Sequence, residues 1–180
     1  MKISALGLAG VKLIEPRVFG DDRGFFTESW NARAFAAAGI DATFVQDNHS
    51  RSRRDVLRGL HYQIEHAQGK LVRCVAGEVY DAVVDLRRSS PTFGRSIGLA
   101  LSAQNQRMLW VPPGFAHGFL AVSEYADFLY KTTDYWYPEH ERTLLWNDAA
   151  LAIAWPLEGS PILAPKDAAG VPLAAAAVYD

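Results

Sequence analysis

From residue 56 to residue 146 the chain advances in short runs rich in Val, Leu, Tyr, Phe and Trp, punctuated by Gly, Pro, Ser and Asn, with no long helical stretch between them. Parallel strands need such crossovers, whereas antiparallel strands are joined by short turns. The pattern therefore predicts an all-β sandwich or barrel. Residues 78–86 form the clearest strand: Tyr80, Ala82, Val84 and Leu86 share one face, and Asp81 and Asp85 lie on the other. Residues 89–94 read as a turn, Ile97, Leu99 and Leu101 alternate, and runs at 108–111, 117–122, 125–132 and 142–146 supply further strands. Ahead of this region one short peripheral helix is expected at 31–39, between the cap residue Asn31 and Gly39. After Pro172, residues 174–177 are four alanines that read as a terminal helical turn or an arm.

A chain of 180 residues is long enough to bury a core without staples. Lys and Arg number 18 against 20 Asp and Glu, a formal charge of -2, which lacks the broad basic footprint of a nucleic-acid binder. The single cysteine, Cys74, can form neither an intrachain disulfide nor a thiolate metal cluster. Lys12 and Glu15 interrupt any secretory core, and no run reaches the roughly 18 apolar residues of a membrane span. The expectation is a soluble, unprocessed, cytoplasmic chain with no membrane or nucleic-acid partner.

Several residues stand out from the strand pattern. Arg51, Arg53, Arg54 and Arg58 crowd together, as an anion-recognising cluster or as a solvated loop. Arg58 differs because it lies within an apolar run, where an unpaired charge would be costly. His61 follows three residues later, and Lys70 opens the next strand after the Gln68-Gly69 turn. Strict alternation puts Arg58 and His61 on opposite faces, so a shared site requires a bulge, with Gly59 as its candidate. Alone, His61 is either a hydrogen-bonded core histidine or a catalyst. Pro112, Pro113 and Gly114 fix a turn that delivers His117 into the next strand. A metal on these histidines would meet Gln63 and Lys70 where further ligands are needed, and an ammonium opposes a divalent cation, so no metal is expected. Tyr130 shares a strand face with Phe128 and Thr132, and the aromatic residues around Trp136 could stack on a flat ligand or serve as core.

In order along the chain, Asp22-Arg23-Gly24-Phe25-Phe26-Thr27-Glu28, Gln46-Asp47-Asn48-His49-Ser50, Leu57-Arg58-Gly59-Leu60-His61-Tyr62-Gln63, Gln68-Gly69-Lys70, Ser90-Pro91-Thr92-Phe93-Gly94, Val111-Pro112-Pro113-Gly114-Phe115-Ala116-His117-Gly118-Phe119 and Trp146-Asn147-Asp148 resemble the dTDP-4-dehydrorhamnose 3,5-epimerase family. The resemblance implies a cupin-like jelly roll of antiparallel strands with a few short peripheral helices, in one domain spanning 1–180. Within it, 1–50 would form an arm, strand and helix contributing to a dimer, 51–150 the jelly-roll core, and 151–180 a segment carrying Asp167.

The same resemblance implies a reaction without cofactor or metal: removal of protons at C3 and C5, next to the C4 ketone of a dTDP-4-keto-6-deoxy sugar, and their return from the opposite face, in dTDP-L-rhamnose synthesis. His61 would be the base, Asp167 the carboxylate that orients it, Tyr130 the acid, and Lys70 the cation at the C4 oxygen. Arg23, Arg58 and Lys166 would hold the diphosphate or nearby oxygens, with Glu28, Gln46, Asn48, His117 and Glu141 at other substrate contacts. Trp136 stands where the family stacks an aromatic residue, commonly Tyr, on thymine, and Ile64-Glu65-His66-Ala67 departs from a loop that usually contains proline. A homodimer is implied, built by exchange of an N-terminal segment that could bring Arg23 and Glu28 to the partner's site. Two alternatives are an epimerase acting at C3 or C5 alone and a non-catalytic sugar-nucleotide-binding cupin.

Overall fold

A computed structural model describes residues 1–180. In chain order the strands are β1 (Lys2–Ala5), β2 (Lys12–Glu15), β3 (Val18–Asp21), β4 (Gly24–Thr27), β5 (Gln46–Arg53), β6 (Leu57–Gln63), β7 (Lys70–Ala76), β8 (Glu78–Asp85), β9 (Ser96–Ser102), β10 (Met108–Val111), β11 (Phe115–Ala121), β12 (Tyr125–Thr132) and β13 (Glu141–Thr143). Two short helices, α1 (Ala32–Ala37) and α2 (Pro165–Ala168), lie at the periphery.

Four antiparallel pairings nest inside one another: β8 with β9, β7 with β10, β6 with β11, and β5 with β12. Successive pairs alternate between two sheets, ordered β1-β2-β10-β7-β12-β5 and β13-β6-β11-β8-β9. A long hairpin rolled up in this way is a jelly roll, the class the sequence predicts. The hairpin β3–β4 belongs to neither sheet and exposes Phe19, Phe25 and Phe26.

The strand pattern of the sequence accounts for β6 onward, but β1–β4 fall where only an arm, one strand and a short helix are expected, and β5 overlaps the basic cluster or loop. It is Gln-Asp-Asn-His-Ser-Arg-Ser-Arg, with no apolar side chain to signal burial. Its pairing with β12 over the full length Gln46↔Thr132 to Arg53↔Tyr125 makes it a strand nonetheless. Arg51 pairs with Asp127 at 2.7 Å across that ladder, and it holds the Asp127 carboxyl below its usual range.

The bulge is present. His117 faces His61 while Phe119 faces Arg58, three residues on β6 against two on β11. Gly59 has φ +125°, and a Cβ there would lie 2.6 Å from the Gly118 Cα and 2.9 Å from the His117 carbonyl oxygen. Only glycine fits such a backbone at such close approach.

Between the sheets, Val72, Val83, Leu109, Phe119 and Phe128 belong to the main apolar core. Ala82, Val84 and Leu86 face outward from β8 and its continuation, where Leu151, Ala176 and neighbouring C-terminal residues cover them. The alanine-rich tail is thus packed, with a 3-10 turn at Leu173–Ala175, and Tyr62 donates to the Ala177 carbonyl at 2.7 Å. On the other sheet, α1 starts at Asn31, whose side chain accepts from the Ala34 amide, and buries Phe35 against Ile14, Met108 and Trp110. That one ring contributes about 2 kcal/mol. The 89–94 turn is organised by buried Asp85; burial pushes its pKa up, but hydrogen bonds from Arg87, Ser90 and Thr92 prevail and bring it to about 2. No helix is long and apolar enough to cross a membrane.

Candidate active site

Where the core residues Phe119 and Phe128 end, a cavity of about 330 Å³ opens between the sheets. Strand alternation fills its walls: Gln46, Asn48 and Ser50 point in from β5, and Phe128, Tyr130 and Thr132 from the facing positions of β12. β6 supplies Arg58 and His61, which the bulge brings to one side; β7 supplies Lys70, β11 His117, β13 Glu141, and the C-terminal segment Lys166 and Asp167. Trp136 stands over the cavity with its indole half-exposed. The Asn48 Nδ2 and Ser50 Oγ atoms are buried without a protein partner.

His61 is joined to Asp167 by an Nε2 to Oδ1 contact of 2.5 Å. Asp167 is 2% exposed on α2, which packs against β6. A carboxylate partner keeps the proton on Nε2, so Nδ1, which bonds to nothing in the protein, is the basic nitrogen. Tyr130 comes from the other sheet, its phenol pKa raised by burial and then by the nearby Glu141 charge. It therefore holds its proton until a strong base forms beside it.

Lys70 is buried, with Nζ 3.4 Å from the His61 carbonyl oxygen. Burial pulls its pKa down to about 8, opposed by Glu141 and Asp81. A second imidazole–carboxylate pair lies beneath it: His117 Nε2 sits 2.9 Å and 3.0 Å from the two Asp81 oxygens. Burial pushes the Asp81 pKa up, while His117 and Lys70 counteract it. At the rim Lys166 bridges to Glu141 at 2.9 Å, and Arg58 is braced by Ser52 at 2.9 Å. A carboxylate-backed imidazole and a buried phenol thus reach one cavity from opposite sheets, and the desolvated Lys70 cation is part of the same lining. Such a set can remove and return protons beside a carbonyl whose oxygen the cation stabilises.

A sequence profile described as dTDP-4-dehydrorhamnose 3,5-epimerase matches residues 5–175. The dTDP-4-dehydrorhamnose 3,5-epimerase of Pseudomonas aeruginosa is 64% identical over 171 residues, 94% of each chain. The chain belongs to the dTDP-4-dehydrorhamnose 3,5-epimerase family. The crystal structure of the 3,5-epimerase of Legionella pneumophila in complex with dTDP-4-keto-L-rhamnose superposes with a TM-score of 0.94 at 51% identity, covering 97% of this chain and 93% of that one. A 3′-monoepimerase of Streptomyces bikiniensis in complex with dTDP-quinovose is similar at 33% identity and a TM-score of 0.89, covering 94% and 86%.

In this epimerase-family chain, two residues singled out from the sequence lie apart from the cavity. Arg23 is on the β3–β4 turn, bound to Asp21, and Glu28 follows β4; neither lines the cavity of its own chain. Conversely, Ser50, Gln68 and Asp81 were missed as contributors. For Ser50 the signal was available, since it falls two residues beyond Asn48 on the same strand face. Asp81 had only its odd position in an apolar strand, and no sequence spacing ties it to His117.

Proposed function

We propose that this chain converts dTDP-4-dehydro-6-deoxy-D-glucose to dTDP-4-dehydro-L-rhamnose by inverting C3 and C5, in dTDP-L-rhamnose synthesis. The observation that carries the reading is the placement of the His61–Asp167 pair and Tyr130 on opposite sheets across one cavity. His61 Nδ1 takes the proton next to the C4 ketone. Lys70 stabilises the enolate oxygen through a fixed charge in a desolvated site. Tyr130 returns a proton to the opposite face; once solvent has taken the proton from His61 and reprotonated the Tyr130 phenolate, the same cycle at the second carbon completes the inversion. Asn48, Ser50, Gln46 and His117 offer hydrogen bonds to the sugar, Arg58 and Lys166 charge for the diphosphate, and Trp136 a stacking face for the base.

The functional unit we infer is a homodimer formed by exchange of N-terminal strands. Supporting it are the hairpin β3–β4, detached from both sheets, and its exposed Phe25 and Phe26, 62% and 68% accessible. In that dimer Arg23 and Glu28 would serve the partner's site.

The experiment is incubation with dTDP-4-dehydro-6-deoxy-D-glucose in deuterium oxide, with C3 and C5 followed by proton NMR. Exchange at both carbons is expected. Exchange at one alone would make the chain a monoepimerase, and binding without exchange would reduce it to a sugar-nucleotide binder.

A further inference from the structure

Both peptide units flanking Trp136 are held by glutamine side chains. The Tyr135 carbonyl accepts from Gln63 Nε2 at 3.1 Å, and the Trp136 amide of the same peptide donates to Gln46 Oε1 at 3.1 Å. The next peptide donates its Tyr137 N–H to Gln63 Oε1 at 2.8 Å. The remaining donor of Gln63 goes to the His66 carbonyl at 2.7 Å. Gln63 is 3% exposed, so its carbonyl and both of its N–H groups are committed inside the protein.

One buried amide thus ties the end of β6 to two loops. One is the 64–67 segment, where Glu65 and His66 have φ of 24° and 51°; the His66 ring stacks on Tyr137 at 4.2 Å. The other carries Trp136. Gln63 does not itself line the cavity, so it reaches a ligand only through what it holds.

We propose that Gln63 is a positioning residue for the nucleotide end of the site, fixing the backbone of Trp136 and hence the height and tilt of its half-exposed indole. This rests on the reading of Trp136 as the surface on which the base stacks. Side-chain torsions alone cannot place an indole whose own peptides rotate. An unclamped Trp136 must pay on binding the ordering cost that Gln63 has already met. Gln63 therefore acts on nucleotide affinity and leaves the reacting carbons to His61, Tyr130 and Lys70.

The test is calorimetric titration with dTDP and steady-state kinetics for the wild type, Gln63→Ala, Gln63→Glu, Trp136→Ala and the Gln63→Ala/Trp136→Ala double variant. Gln63→Glu keeps the size and the acceptor for Tyr137 while removing both donors, so it remains informative if the alanine variant misfolds. Both Gln63 variants should weaken dTDP and raise KM by about tenfold, within the range for loss of one stacked base, with kcat falling less than about threefold. In the Trp136→Ala background the Gln63 change should cost no further affinity. In the wild type, the Trp136 and Tyr137 amides should exchange slowly with solvent.

Unchanged dTDP affinity in a folded Gln63 variant, additive losses in the double variant, or unprotected amides would each overturn the positioning role while leaving the nucleotide reading intact. A wild type that binds no dTDP would overturn the nucleotide reading and the positioning role with it.

Discussion

His61 and His117 stand directly opposite each other on β6 and β11, yet each is tied to a different buried carboxylate: Asp167 from the C-terminal segment and Asp81 from within the second sheet. The two imidazoles are therefore oriented independently, although they share a ladder position. His61 is the more accessible of the two, and its carboxylate sits on a four-residue helix that packs against β6.

Removing the Asp167 carboxylate leaves Nε2 of His61 without its acceptor. Asp167→Ala should lower kcat by about 10²- to 10⁴-fold, the range associated with a positioned general base. Binding of dTDP should change little, since Asp167 contacts the histidine. Stopped assays by NMR and calorimetry on the same preparation check both halves, and wild-type turnover would remove Asp167 from the mechanism.

Tyr130→Phe keeps the ring that packs near Phe128 and deletes the proton. Turnover should be lost or its stereochemical outcome changed, while wash-in of deuterium continues because His61 is untouched. Exchange lost in step with turnover would instead make Tyr130 a partner in deprotonation.

Lys70 makes a prediction with a definite sign. Its folded pKa of about 8 lies below the ordinary 10.5, so between those values the unfolded chain holds a proton that the folded chain has released. Stability should therefore rise with pH across that window, as the burial penalty disappears. Lys70→Met should raise stability near neutrality by on the order of 3 kcal/mol and abolish activity, with the stability gap closing towards pH 10.5. In the wild type, kcat/KM should fall by about tenfold per pH unit above the Lys70 pKa. Thermal melts and a pH–rate profile measure the two effects.

Gly59→Ala drives a methyl into the backbone of β11, 2.6 Å from Gly118 Cα, at a φ of +125°. The expected loss is about 3 kcal/mol or more, because backbone faces backbone and neither can rotate away. Any folded fraction should have lost activity, since the bulge is what places Arg58 and His61 on one side. Denaturant melts check the first claim and the exchange assay the second.

Strand exchange predicts complementation. Mixed dimers of a His61→Ala chain and an Arg23→Ala chain would carry one site with both defects and one site with neither. Activity reappearing on co-refolding two inactive variants would place Arg23 in trans, and its absence would argue for action within one chain.

Most of this fold was legible because its strands alternate against an apolar core. β5 escaped because its inward residues, Gln46, Asn48 and Ser50, face a polar cavity, so the usual hydrophobic signal is missing where the binding wall is built. Gly59 was legible as the solution to a conflict, two polar residues three apart that needed one face. Asp167 came from family resemblance alone, since its partner lies 106 positions away. Gln63 stood out only as a motif residue and as a poor metal ligand, because a clamp on backbone groups has no pattern of side-chain types. Arg23 and Glu28 were recognised by motif, and their place outside this chain's own cavity follows from the detached hairpin.

The nested ladder has a temporal side. β5 and β12 form the outermost of the four nested pairs, joining residues as far apart as Gln46 and Thr132. Such non-local pairing slows folding towards the millisecond-to-second regime. Gln46, Asn48 and Tyr130 sit on that outermost pair, and Asp167 arrives later still in the chain. On a ribosome, catalytic competence would be the last property acquired: a nascent chain halted before residue 167 could already hold most of its ladders and still lack the carboxylate that orients His61.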